Sequence, residues 1–153
     1  MRSTIGISVS APAATVFELA MQVERWPELL PDYRSVTVRS REAMASVVDM
    51  RAVRRFGPIA IPVAWRSRTW SEATDADDLR LRFVHVGGPT KGMDVTWHIR
   101  PTGGAACSAS IEHNFTHHLP LVGDELFSRV VDRWFVRPIA GLTLASFKKL
   151  AET

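Results

Sequence analysis

Apolar and polar residues alternate from Ser3 to Ser10, with Ile5, Ile7 and Val9 on one face. This is the two-residue period of a β-strand. Pro12 then suits the first turn of a helix, where its missing N–H costs nothing. Val16, Phe17, Leu19, Ala20 and Val23 continue at helical spacing. The stretch Trp26-Pro27-Glu28-Leu29-Leu30-Pro31-Asp32-Tyr33 is too short and proline-rich to extend that helix, so it reads as a separate helical turn. From about Ser35 to Thr116 the period returns to two, broken by turn signals at Phe56-Gly57-Pro58, Gly87-Gly88-Pro89 and Pro101-Thr102-Gly103-Gly104. The strands between them are marked by Val36 and Val38, by Ala45 to Val53, by Val63 to Trp70, and by Leu79, Leu81 and Phe83. Met93, Val95, Trp97 and Ile99 mark the next, and Cys107 to Phe115 the last. Short loops make these six strands antiparallel. From about Gly123 to Glu152 the spacing is helical again, with Leu126, Phe127, Val130, Val131, Trp134 and Phe135 on the apolar stripe. Pro138 predicts a kink or break near Trp134 to Pro138.

This order predicts an α+β layout: a seven-stranded curved antiparallel sheet, two short helices after the first strand, and a long C-terminal helix. Only that helix is large enough to cover the sheet's apolar face. A chain of 153 residues fits one domain, with no repeat or linker to divide it. The 46% hydrophobic and 23% charged residues are those of an ordinary globular protein. No apolar run approaches a membrane span, and the early alternation argues against a signal peptide. The single cysteine, Cys107, excludes an intrachain disulfide and fits a reducing compartment, so a cytoplasmic location is expected. Nineteen Lys and Arg against 16 Asp and Glu give a net charge of +3, far from a nucleic-acid-binding composition. Arg51, Arg54, Arg55, Arg66 and Arg68 cluster along the chain, either as a solvated outer sheet face or as a docking surface for an acidic partner. They lack interleaved aromatics on their own face, which argues against nucleic acid.

The order of elements resembles the START-like superfamily, which includes pollen allergens, polyketide cyclases and coenzyme Q-binding proteins. Three segments are similar to bacterial polyketide aromatase/cyclases: the Trp26 to Tyr33 stretch, the Trp65-Arg66-Ser67 spacing, and the Gly88-Pro89 turn followed by Met93 and Trp97. The resemblance implies a helix-grip fold over essentially the whole chain. It also implies a pocket for a folded polyketide delivered by an acyl carrier protein, with no cofactor. The chain departs from the pattern at Thr69, where tetracenomycin-type enzymes carry a pocket arginine. It departs again at His113, where, allowing a one-residue gap, the family has a glutamine.

Strand phase puts Trp65, Ser67, Thr69, Leu79, Leu81, Phe83, His85, Met93, Val95, Trp97, Ile111, His113 and Phe115 on the concave face. With Trp26 and Trp134, these give the expected ligand-binding set of Trp26, Trp65, Thr69, Phe83, His85, Met93, Trp97, Ile111 and Trp134. Such apolar walls with sparse polar groups are the usual form of a small-molecule site. Cyclising a poly-β-ketone requires removing a proton between two carbonyls, stabilising the enolate and protonating the departing hydroxyl. His113 suits the acid/base part, with His85 as second choice. Tyr33, expected at the rim, and Ser67 suit the donors. Arg54, Arg55 and Lys91 are expected to flank the mouth and steer an acidic carrier. His113, His117 and His118 lack a carboxylate or cysteine to complete a metal set, so no metal is expected. Two functions stay open: a cofactor-independent polyketide cyclase/dehydrase, or a non-catalytic carrier of a lipid, quinone or other apolar molecule.

Overall fold

The computed structural model describes residues 1–116 and 123–153. Strand β1 spans Arg2–Val9 and leads into helix α1, Ala13–Met21, whose N-cap is Pro12. Val23, read from sequence as part of that helix, lies instead in a 3-10 turn, Val23–Arg25. Helix α2, Trp26–Leu29, carries Pro27 in its first turn and ends before Pro31. Strands β2 (Tyr33–Arg41), β3 (Ser46–Phe56), β4 (Ile59–Glu72), β5 (Leu79–Gly87), β6 (Asp94–Gly103) and β7 (Ala106–Asn114) follow.

The seven strands form one antiparallel sheet in the order β1-β7-β6-β5-β4-β3-β2. Five short connections join β2 to β7 in sequence, and β1, reached across the two helices, closes onto β7 at the far edge. Leu81, Phe83, Val95, Trp97, Ile99, Ala109 and Ile111 alternate inward and are buried, while the arginines between them face out. The loop expected at Phe56-Gly57-Pro58 is shorter than the sequence suggested. Phe56 pairs with Ile59, leaving the two-residue turn Gly57-Pro58, which Gly57 permits by taking φ of 58°. One expectation about the outer face is overturned. Trp70, two residues beyond Arg68, shares its side of the strand, and the guanidinium groups of Arg68 and Arg82 lie 5.2 and 5.4 Å from its ring centre. The arginines there are also paired: Arg66 with Asp49, Arg68 with Glu42, and Arg82 with Asp94.

The C-terminal segment is helical in three parts: α3 (Asp124–Val131), a π-helical turn (Asp132–Val136), and α4 (Arg137–Ala151). Pro138 has no N–H to give the carbonyl of Trp134, four residues back. That carbonyl instead accepts from Arg54 Nε at 2.7 Å, so a β3 side chain occupies the position the proline vacates. Helix α4 packs across β1, α1 and β7. Its end is pinned to the start of the chain, where Lys148 Nζ donates to the Ser8 carbonyl and the Ser10 N–H donates to Glu152. Among the described residues, no helix is long and apolar enough to cross a membrane.

Candidate functional site

Between the sheet and α3–α4 lies an open cavity of about 400 Å³. Its floor is aromatic. Trp26 packs its ring 5.2 Å from Tyr33 and 5.5 Å from both Phe83 and Trp97, with Phe147 beneath at 6.0 Å. The Trp26 indole N–H is satisfied by the Ala20 carbonyl at 3.1 Å, so it offers no free donor to the cavity. Met50, Val63 and Trp65 form the wall on β3 and β4, and Val95 and Ile111, with Met93 just before β6, the wall on β6 and β7. Phe127, Val131, Phe135, Val136, Ile139 and Ala140 close it from the helices.

Among the described residues, five polar side chains besides the indoles break this surface: Tyr33, His85, Thr90, His113 and Thr143. Tyr33 is buried in the floor, not at the rim as the sequence suggested, because the edges of the Trp26 and Trp65 rings enclose it. Burial pushes its phenol well above the ordinary range. An interaction with the Thr143 hydroxyl opposes that shift, and the neighbouring Asp32 charge adds to it. Thr143 itself donates to the Ile139 carbonyl at 2.8 Å.

His85 stacks on Trp65, ring centres 5.8 Å apart and planes 20° from parallel, and its Nδ1 lies 2.6 Å from the Thr90 hydroxyl. Burial pulls its imidazole from 6.5 to about 4, and nearby His113 adds to the effect. Burial likewise brings His113 to about 4, against the opposing pull of the Asp132 carboxylate on the π-helical turn. The two imidazoles are therefore coupled neighbours, both neutral at pH 7. One oxygen of Asp132 accepts from Arg137 Nε at 2.9 Å, while the other is buried without a partner.

The structure thus brings Trp26, Tyr33, Trp65, Phe83, His85, Met93, Trp97, Ile111 and His113 to one cavity. It leaves Ser67, Thr69 and Trp134 out of the lining. Ser67 and Thr69 point inward as their phase requires, but both are buried in the core with unpartnered hydroxyls. Trp134 is 46% exposed and lies against Phe56 at 5.9 Å, because the π-helical turn keeps Phe135 inside and carries Val136 round to the inner face in place of Trp134. His117 and His118 lie outside the described residues. Thr90 and Thr143 were missed from sequence. Thr143 had a signal, a hydroxyl on the stripe of Ala140, Leu144 and Phe147; Thr90 had none, since a loop carries no period.

The sequence profile of the polyketide cyclase / dehydrase and lipid transport family matches residues 9–137. The chain belongs to that family. It is 31% identical over 97 residues to a putative polyketide cyclase from Streptomyces cyaneus, a match covering 63% of this chain and 60% of that protein. The match thus spans less than two thirds of the relative's length. Among solved structures, the Zhui aromatase/cyclase from Streptomyces sp. R1128 superposes with a TM-score of 0.73 at 17% identity, over 99% of this chain and 93% of that one. A START superfamily protein from Mycobacterium smegmatis does so with a TM-score of 0.71 at 11% identity, over 97% and 98%. At these identities the two structures show the fold, and this member of the polyketide cyclase/dehydrase family has the START-like helix-grip architecture.

Proposed function

We propose that this family member holds a hydrophobic polyketide in the cavity and promotes its aldol cyclisation and dehydration without a cofactor. One observation carries the reading: a predominantly apolar cavity whose polar groups, Tyr33, His85, Thr90, His113 and Thr143, are all uncharged at neutral pH. Such a site accepts a ketone chain without demanding a counter-charge, and its apolar lining strengthens the hydrogen bonds made inside. His113 is the group placed to move protons, since the Asp132 carboxylate supports the imidazolium it forms. The Tyr33 phenol, held in its protonated form by burial, donates to an enolate or aldol oxygen. Ser67, behind the lining with its hydroxyl buried and unpartnered, leaves the donor role to Tyr33.

His113→Gln and Tyr33→Phe should each slow cyclisation at least tenfold in a reconstituted synthase. Full activity in both folded variants would remove these roles. An acyl carrier protein is part of the proposal as the donor of the chain. Arg55 is paired with Asp32 at 3.9 Å, while Arg54 is bound to the neutral Trp134 carbonyl and keeps its charge, so Arg54 and exposed Lys91 are the residues of that trio left to steer it.

The absence of a charged group from the described lining also favours a second reading, a carrier of a neutral lipid or quinone. Native mass spectrometry separates the two: a stoichiometric copurified lipid or quinone, with no turnover of a polyketide mimic, supports the carrier.

A further inference from the structure

The β5–β6 loop folds back onto β4. Gly88, at φ of 94°, lies so close that a Cβ there would stand 2.8 Å from the Ala64 carbonyl oxygen and 3.0 Å from the Trp65 Cα. The loop is closed by hydrogen bonds from the Gly92 N–H to the His85 carbonyl and from the His85 N–H to the Met93 carbonyl, both 2.8 Å. This geometry delivers the Thr90 hydroxyl to His85 Nδ1. The Trp65 ring covers one face of the imidazole, so the ring is fixed in plane by stacking and in rotation by Thr90. His85 lines the cavity, and with Nδ1 taken by Thr90 its Nε2 is the ring nitrogen without a partner among the described residues.

A hydroxyl meeting a neutral imidazole nitrogen either donates or accepts, according to the ring's tautomer. The 2.6 Å separation places the two atoms within hydrogen-bonding distance. With Thr90 as the donor, Nδ1 accepts and the ring proton sits on Nε2. We propose that Thr90 is a positioning residue that fixes His85 as its Nε2–H tautomer, making His85 a neutral hydrogen-bond donor to a carbonyl oxygen of the bound ligand. This deepens the cyclase reading and rests on it for the identity of the ligand. A neutral imidazole polarises a carbonyl without placing a full charge in an apolar site, as neutral histidines do in other carbonyl chemistry. It also divides the labour: His85 holds the oxygen while His113 moves the proton.

The tautomer is read directly from the imidazole ¹⁵N resonances of the uniformly labelled, ligand-free protein at pH 7. The wild type and Thr90→Ser are expected to show protonated Nε2 and bare Nδ1 at His85, and Thr90→Val a mixture. The second measurement compares 1-tetralone, a bicyclic ketone, with tetralin, which has the same carbon frame and no oxygen. Thr90→Val should lose about tenfold of the wild-type preference for the ketone, which Thr90→Ser should retain. A wild-type proton on Nδ1, or a Thr90→Val variant with unchanged tautomer and unchanged preference, overturns the proposal. If neither probe binds while the tautomers follow this pattern, the assignment of Thr90 stands and the ligand reading is the one that fails.

Discussion

Two imidazoles held neutral by burial give the protein a stability that depends on pH. His85 and His113 fall from 6.5 in the unfolded chain to about 4 in the folded one. Between these values the unfolded chain binds more protons, so stability is full above about pH 6.5 and declines as pH falls towards 4. Urea melts at pH 7 and pH 5 should differ by a few kcal/mol at most, and the His85→Gln, His113→Gln double variant should lose most of that difference. Asp132, facing His113, moderates the effect, while the lowered carboxylates Asp78 and Glu112 add to the loss of stability at the acid end. At Gly88 the constraint is steric. Gly88→Ala meets both a positive φ and backbone atoms at 2.8 and 3.0 Å, and should cost about 2 kcal/mol or more by chemical denaturation. The inward phase of Trp65, Phe83, Trp97, Ile111 and His113 was legible because a strand's period is fixed at two. Alternation says which side a residue faces, not what already covers it. Ser67 and Thr69 therefore looked the same as their neighbours until the packing of the floor was known.

Among the elements, the C-terminal helix shows where a fixed period fails. Reading 3.6 residues per turn straight through Pro138 puts Trp134 inside beside Phe135; the π-helical turn adds backbone before the proline, keeps Phe135 inside and presents Val136 in place of Trp134. The proline was a visible signal for a break. The donor that takes the freed Trp134 carbonyl comes from Arg54, 80 positions earlier, and no local pattern points to it. Arg54→Gln should loosen the π-helical turn and cost about 1 kcal/mol, given the exposure of the guanidinium, measurable as a lower urea midpoint. The β3–β4 hairpin and the helix break are thus one joint, with Phe56 lying against Trp134 and Phe135 beside it. That joint forms one side of the cavity mouth, where Ile61 and Val130 are partly exposed.

For the molecule as a whole, the sheet's two edges are treated differently. At one, β1 is flanked by α4 and tied to it through Ser8 and Ser10. At the other, β2 carries two irregularities of register and an arginine-rich outer face, with Arg39 paired to Asp49 and Arg41 to Glu24. Both devices discourage edge-to-edge association of sheets. The core between them contains Cys107, 1% exposed on β7, opposite Val9 and Pro101, with its thiol pushed up by burial. A thiolate is the reactive form, so this sulfur is inert while the sheet is closed. That makes it a clock for opening. Under native conditions the rate at which an aromatic disulfide reagent modifies Cys107 should equal the intrinsic thiol rate scaled by the fraction of molecules open at β7. The free energy obtained should match that from urea melts, and a cavity ligand should slow the reaction by the factor its binding predicts. Rapid modification insensitive to urea would instead mean that β7 opens alone.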